Sequence, residues 1–311
     1  MKKLLLFLLP ASLFSCIWIH GTTLDGKHKY QGYGYVSALI LTETIERASP
    51  QKTLKNILEE RKYKTVSSDE LEEENAVILM LQGKYDDSIK KLLTLNKLHP
   101  KKYSIASNLG TAYELNGENE KALTWITEGI NRDSSSHYGT EWLHQLILKL
   151  KIKESKNKNF LQTKRAISLP LKFILDDNIS INNQTHTISD IRKAINYQLK
   201  ERLVFVKPKD KIVSDLFYTA SRIEAQATTA EEGLAYLELA ELYGFANPKL
   251  LKDKKAHYQN IIEHPPLSYY FDLLFDSFDD IVSFALIVVI GIFLSMLFIN
   301  LKNSIFKRKN N

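Results

Sequence analysis

Eight histidines, one cysteine and several close acid pairs are the residues of this chain that could do chemistry. His137 and His144 stand seven apart, so one helix would present both on similar faces, as a metal site needs. No third ligand shares that spacing, and such a pair is ordinarily surface or core histidine. Asp176-Asp177 has the composition of an acid pair, but adjacent acids of this kind ordinarily favour a turn. Asp272, Asp276, Asp279 and Asp280 are oxygen donors of the kind calcium takes, and equally a solvated acidic flank. The chain contains no G-x-S-x-G, H-E-x-x-H, Walker loop or dinucleotide fingerprint. Asn178-Ile-Ser180 and Asn183-Gln-Thr185 match the glycosylation sequon, which matters only where exported proteins are glycosylated. The residues therefore assign no catalytic, cofactor or metal site, and the chain reads as a binder rather than an enzyme.

The elements that would carry function lie elsewhere, and the two ends say where the protein sits. Lys2 and Lys3 precede the apolar run Leu4–Ile19, which is broken by Pro10 and is the pattern of an export signal. Leu13-Phe14-Ser15-Cys16 resembles a bacterial lipobox, although Phe14 departs from it. Cys16 is thus the lipidation candidate; the alternatives are a plain signal peptide or an uncleaved anchor. At the other end, Ile281–Ile299 is 19 residues without a charge. As a helix it would span roughly 28 Å, close to the hydrocarbon thickness of a bilayer. Lys302, Lys307, Arg308 and Lys309 follow it, so the positive-inside rule puts the tail in the cytoplasm and the bulk of the chain outside.

The same ends explain the charge. The 311 residues carry 42 Lys and Arg against 36 Asp and Glu, a net +6. Lys2, Lys3, Lys302, Lys307, Arg308 and Lys309 account for all six, leaving 36 of each sign in between. The basic balance records topology and argues against nucleic acid as a partner. With 44% hydrophobic residues the chain buries a sizeable core, and its single cysteine excludes a disulfide framework.

Internal periodicity gives the strongest sign of fold. Ala76, Gly83, Ser88 and Leu92 recur 34 residues later as Gly110, Gly117, Ala122 and Ile126. Small residues stand where two helices would cross, and the glycines where a left-handed turn would join them. Pro100 closes the first unit. This pattern over residues 69–136 resembles the tetratricopeptide repeat. A third first helix, Tyr138–Leu148, follows in frame without its partner. The resemblance implies a groove that holds a protein or peptide partner. It would be lined by Glu70, Glu73, Val77 and Met80 in the first repeat and by Ser104, Ser107, Thr111 and Glu114 in the second. Tyr138, Glu141, Gln145 and Leu148 would line it in the partial third.

Around the repeats, Tyr35–Arg47 and Gln51–Lys64 have helical spacing. The run Ala166–Leu175 suggests a strand, Asp176-Asp177-Asn178 a turn, and Ile179-Ser-Ile181 a returning strand. Ser189 is a plausible N-cap for a helix over Asp190–Val204, with further helices over Lys211–Ala227, Glu231–Tyr243 and Pro248–Glu263. The expectation is a mostly α chain: a helical-hairpin array, or α-solenoid, with a small β-hairpin insertion and a C-terminal transmembrane helix. Its divisions are an export signal (1–16), a linker (17–34), helical repeats (35–160) and a β insertion (161–185). A C-terminal helical region (186–264), an acidic juxtamembrane segment (265–280), a membrane span (281–301) and a basic cytoplasmic tail (302–311) follow. The functional expectation is a scaffold tethered to a bacterial inner membrane, its bulk periplasmic, holding a partner in envelope assembly or maintenance. Its rivals are an accessory subunit of an integral membrane complex and, behind that, an envelope enzyme.

Overall fold

The computed structural model describes residues 18–32, 37–63, 65, 67–276 and 290–291. The expected export signal, Cys16, the basic tail and all but two residues of the 281–301 segment lie outside them. Among the described residues no helix is long and apolar enough to cross a membrane.

Where the sequence reads as a linker, the chain forms a β-hairpin, β1 (Trp18–Thr22) and β2 (His28–Gly32). The strands pair antiparallel with Trp18 opposite Gly32. Gly26, at φ 81°, supplies the left-handed residue of the connecting loop. Helices α1 (Ser37–Arg47) and α2 (Pro50–Glu60) follow, the second capped by Ser49 with Pro50 at its first turn.

The periodic region folds into two antiparallel helical hairpins. The first is α3 (Ser68–Leu81) with α4 (Tyr85–Leu98), and the second α5 (Tyr103–Leu115) with α6 (Asn119–Arg132). Ser67 and Glu70 form a reciprocal capping box that starts α3. Gly83 and Gly117 sit at φ 74° and 81° in the two turns, a conformation that costs a residue with a Cβ about 1–2 kcal/mol. Apart from the exposed turn glycines, the 34-residue equivalences are internal. Ala76, Ser88 and Leu92 are fully buried in the first hairpin, as are Ala122 and Ile126 in the second, and Gly110 has no Cβ because Ile126 fills that space. Ser88 Oγ donates to the Ala76 carbonyl at 2.8 Å, which draws α4 close onto α3. Ala76, Met80, Leu92, Leu109 and Ile126 form one apolar core for the array, and Leu148 completes it from the next helix.

A left-handed turn, α7 (Ser136–Gly139), then delays the third first helix, with His137 and Tyr138 at φ 51° and 58°. As a result α8 (Glu141–Lys156) begins at Glu141, not at Tyr138. A single turn, α9 (Phe160–Thr163), follows. The run Ala166–Leu175 is irregular rather than a strand. The hairpin lies beyond it, β3 (Asn178–Ile181) with β4 (Gln184–Thr187). Its turn is Asn182-Asn183, at φ 50° and 65°, the two positive values that a tight hairpin turn demands.

Helix α10 (Ile188–Arg202) starts two residues earlier than expected, because Thr187 rather than Ser189 caps it. Helices α11 (Lys211–Ala227), α12 (Ala230–Leu242) and α13 (Pro248–Glu263) match the spans read from the sequence closely, with Asp210, Thr229 and Asn247 as their N-caps. The last described helix of any length is α14 (Leu267–Asp276). Together α1, α8 and α10–α13 enclose a second apolar core around Phe217, Tyr236 and Tyr243. The β1–β2 hairpin is pinned to this body by Glu231 of α12, whose carboxylate accepts from Thr22 N at 2.8 Å and Thr22 Oγ1 at 2.9 Å. Helix α14 lies against β2, where the Tyr269 and His28 rings meet edge to face at 5.3 Å.

Candidate functional site

Helix α8 carries Glu141, His144, Leu148 and Lys151 at spacings of three and four, so all four share one side. That side faces α5, which presents Ser107, Thr111 and Glu114 in the same rhythm. The first helices of an array of this kind would leave this face open as a groove. Here α10 lies over it. Its apolar stripe Ile188, Ile191, Ile195 and Leu199 is buried, and Arg202 continues that stripe inward with only 8% exposure.

Four charges meet there. Arg202 grips Glu114 with both terminal nitrogens, Nη1 to Oε1 at 2.7 Å and Nη2 to Oε2 at 3.2 Å. Lys151 Nζ reaches Glu114 Oε1 at 2.7 Å. His144 Nε2 lies 2.7 Å from Glu114 Oε2. Burial opposes the charge on Glu114, but Arg202, His144 and Lys151 outweigh it and hold the carboxyl well below the usual range.

A second cluster continues from His144. Its Nδ1 stands 3.4 Å from Glu141 Oε2. Glu141 Oε1 receives the Tyr103 hydroxyl at 2.8 Å and lies 2.5 Å from His137 Nδ1. Burial and the nearby Arg202 charge oppose protonation of His144, yet its contacts with Glu114 and Glu141 raise its pKa. Burial likewise resists the Glu141 charge, which His137, His144 and Tyr103 hold ionised at lower pH than usual. The bond to Glu141 raises His137, and burial raises the Tyr103 hydroxyl. The strained α7 turn is what carries His137 into this cluster, where its ring also meets Tyr103 edge to face at 5.5 Å.

These groups border a cavity of about 100 Å³ between α5, α8 and α10. Among the described residues no set of His, Cys, Asp or Glu side chains is arranged to hold a metal ion. Each ring of the His137/His144 pair is taken up by glutamate.

The expected groove residues divide into two groups. Met80, Ser107, Glu114, Glu141 and Leu148 are buried. Glu70 is exposed at its cap, Tyr138 is 90% exposed on the left-handed turn, and Glu73, Val77, Ser104, Thr111 and Gln145 are partly covered. Glu73 is already engaged, accepting from Asn108 Nδ2 at 3.2 Å and pairing with Lys102 at 2.8 Å. Gln145 donates to Thr127. The structure thus joins Ser107, Thr111, Glu114 and Glu141 around one cavity and leaves the first-repeat positions apart from it. Reading by repeats missed Arg202, Lys151 and Tyr103. The signal for Arg202 was present: a cation on the apolar stripe of a helix asks for a buried carboxylate.

The chain matches no protein-family model and no curated protein.

Proposed function

We propose that this chain is a membrane-tethered scaffold of tetratricopeptide type that holds a protein or peptide partner. Its bulk lies on the outer side of a bacterial inner membrane and it serves envelope assembly or maintenance. The observation that carries the reading is the contact between the N-terminal hairpin and the last described helix of any length. The hairpin that follows the apolar N-terminal run and the helix that precedes the apolar run 281–299 touch through β2 and α14. Both runs suit attachment to one membrane surface. The array α3–α6 joins the body through α8, and its partly exposed row Val77, Ser104 and Thr111 supports partner binding.

The test is crosslinking and co-purification from native membranes, comparing wild type with Val77→Arg/Ser104→Arg. Val77 packs partly against the array core, so the variant is compared only after its far-ultraviolet circular dichroism matches wild type. The expected outcome is loss of the crosslinked partner with membrane fractionation unchanged. An unchanged set of crosslinks would refute the groove, and recovery of wild type in the soluble fraction would refute the tether.

A further inference from the structure

Helix α14 shows an apolar face to solvent. Leu267, Tyr270 and Phe271 are 71%, 51% and 53% exposed, and their spacing of three and four puts them on one side of the helix. Among the described residues no other helix leaves more than one large apolar side chain so exposed. Single residues of this kind are ordinary on a protein surface, whereas a row along one helix marks a contact.

The opposite side holds the helix in place. Tyr269 sets its ring against His28 of β2 at 5.3 Å. Pro266, just before α14, lies so close to the hairpin loop that a Cβ at Gly26 would stand 2.7 Å from its Cδ. Asp272 and Asp276 come three and seven residues after Tyr269, so the helical register places them on its side and away from the exposed row. That row is uncharged.

Its occupant follows from where the chain goes next. The charge-free run Ile281–Ile299 begins five residues after Asp276. Five residues reach at most about 17 Å, and a helix with its side chains is itself about 10 Å across. A membrane that holds the run therefore lies within reach of α14. Leu with Tyr and Phe is also the composition that settles between headgroups and acyl chains, where the ring is covered and the hydroxyl stays wet. We propose that α14 lies in the headgroup layer of the membrane that tethers the chain, with Leu267, Tyr270 and Phe271 toward the lipid. This rests on the tethering reading and adds a second, fixed contact to it. Helix α14 is held on the β1–β2 hairpin and Glu231 of α12 holds that hairpin, so the lipid contact orients the main body on the membrane.

The test places a nitroxide label at Leu267→Cys or Phe271→Cys in the full chain, with Cys16→Ser removing the native cysteine. The chain is reconstituted into vesicles of phosphatidylethanolamine and phosphatidylglycerol. Collision of the label with oxygen, which partitions into lipid, is compared with collision with a water-soluble nickel chelate. The expected result is an oxygen-to-nickel ratio several-fold higher at both positions than at Tyr63→Cys, a site 90% exposed in the native chain. Ratios equal to that of Tyr63→Cys, in chains that stay with the vesicles through an alkaline carbonate wash, would overturn the α14 contact and leave the tether standing. Loss of the chain from the vesicles in that wash would overturn both. Spin–spin broadening at 271 that disappears on dilution with unlabelled chain would assign the face to a second copy and overturn the lipid contact. Should one labelled variant fail to fold, the other decides.

Discussion

Replacing Arg202 by Met tests the central charge cluster. Met keeps much of the stem volume and removes the guanidinium, so Glu114 loses its bonds at 2.7 and 3.2 Å. The carboxylate stays buried, with Lys151 and His144 each at 2.7 Å. Removing one partner of a buried ion pair typically costs about 3–5 kcal/mol because the other is stranded. The two remaining cations lower that here to about 2–3 kcal/mol, which for a body of this size is roughly 5–10 °C in Tm. The assay is urea denaturation at neutral pH followed by far-ultraviolet circular dichroism. Glu114→Gln and the double variant complete a thermodynamic cycle. The double variant should cost about 2 kcal/mol less than the sum of the singles. Arg202→Met within about 0.5 kcal/mol of wild type, or a strictly additive cycle, would refute the view that this pair is a buried, coupled interaction.

Three further outcomes follow from the structure. Gly117→Ala should cost about 1 kcal/mol from backbone strain alone, since nothing stands near its added Cβ. Gly110→Ala should cost about 1–3 kcal/mol despite the better helix former, because Ile126 occupies the site; urea midpoints measure both. His144 titrates above its ordinary 6.5 in the fold, so its contribution is complete below that value and is lost as pH rises through the higher folded one. His144→Gln should therefore flatten the fall in stability on the alkaline side of 6.5, read as Tm against pH.

The array was legible because its determinants are local. Gly83 and Gly117 need positive φ within their own turns, and Ala76, Ser88, Gly110 and Ala122 mark crossings between helices adjacent in the chain. The caps Asp210, Thr229 and Asn247 bounded α11–α13 for the same reason. The β3–β4 hairpin was misplaced because apolar residues between 166 and 175 drew attention from Asn182-Asn183, whose tolerance of left-handed backbone sets the turn. The β1–β2 hairpin was missed because Glu231, more than two hundred positions away, holds it. The cavity was hidden for the same physical reason: Glu114 reads as an exposed groove acid until Arg202, 88 positions later, is placed beside it. Periodicity reports which face of a helix is special and leaves open what covers that face.

The span between Glu114 and Arg202 also orders the assembly of the molecule. The hairpins α3–α4 and α5–α6 close over short sequence separations and need little loop entropy. On a ribosome they can form while residue 202 is still unmade, and at that stage Glu114, His144 and Lys151 are in water, where their charges cost nothing. Dehydration of the cluster waits for the arrival of α10, which brings its own counter-charge with it. These charges are thus withdrawn from solvent only in the company of the residue that neutralises them.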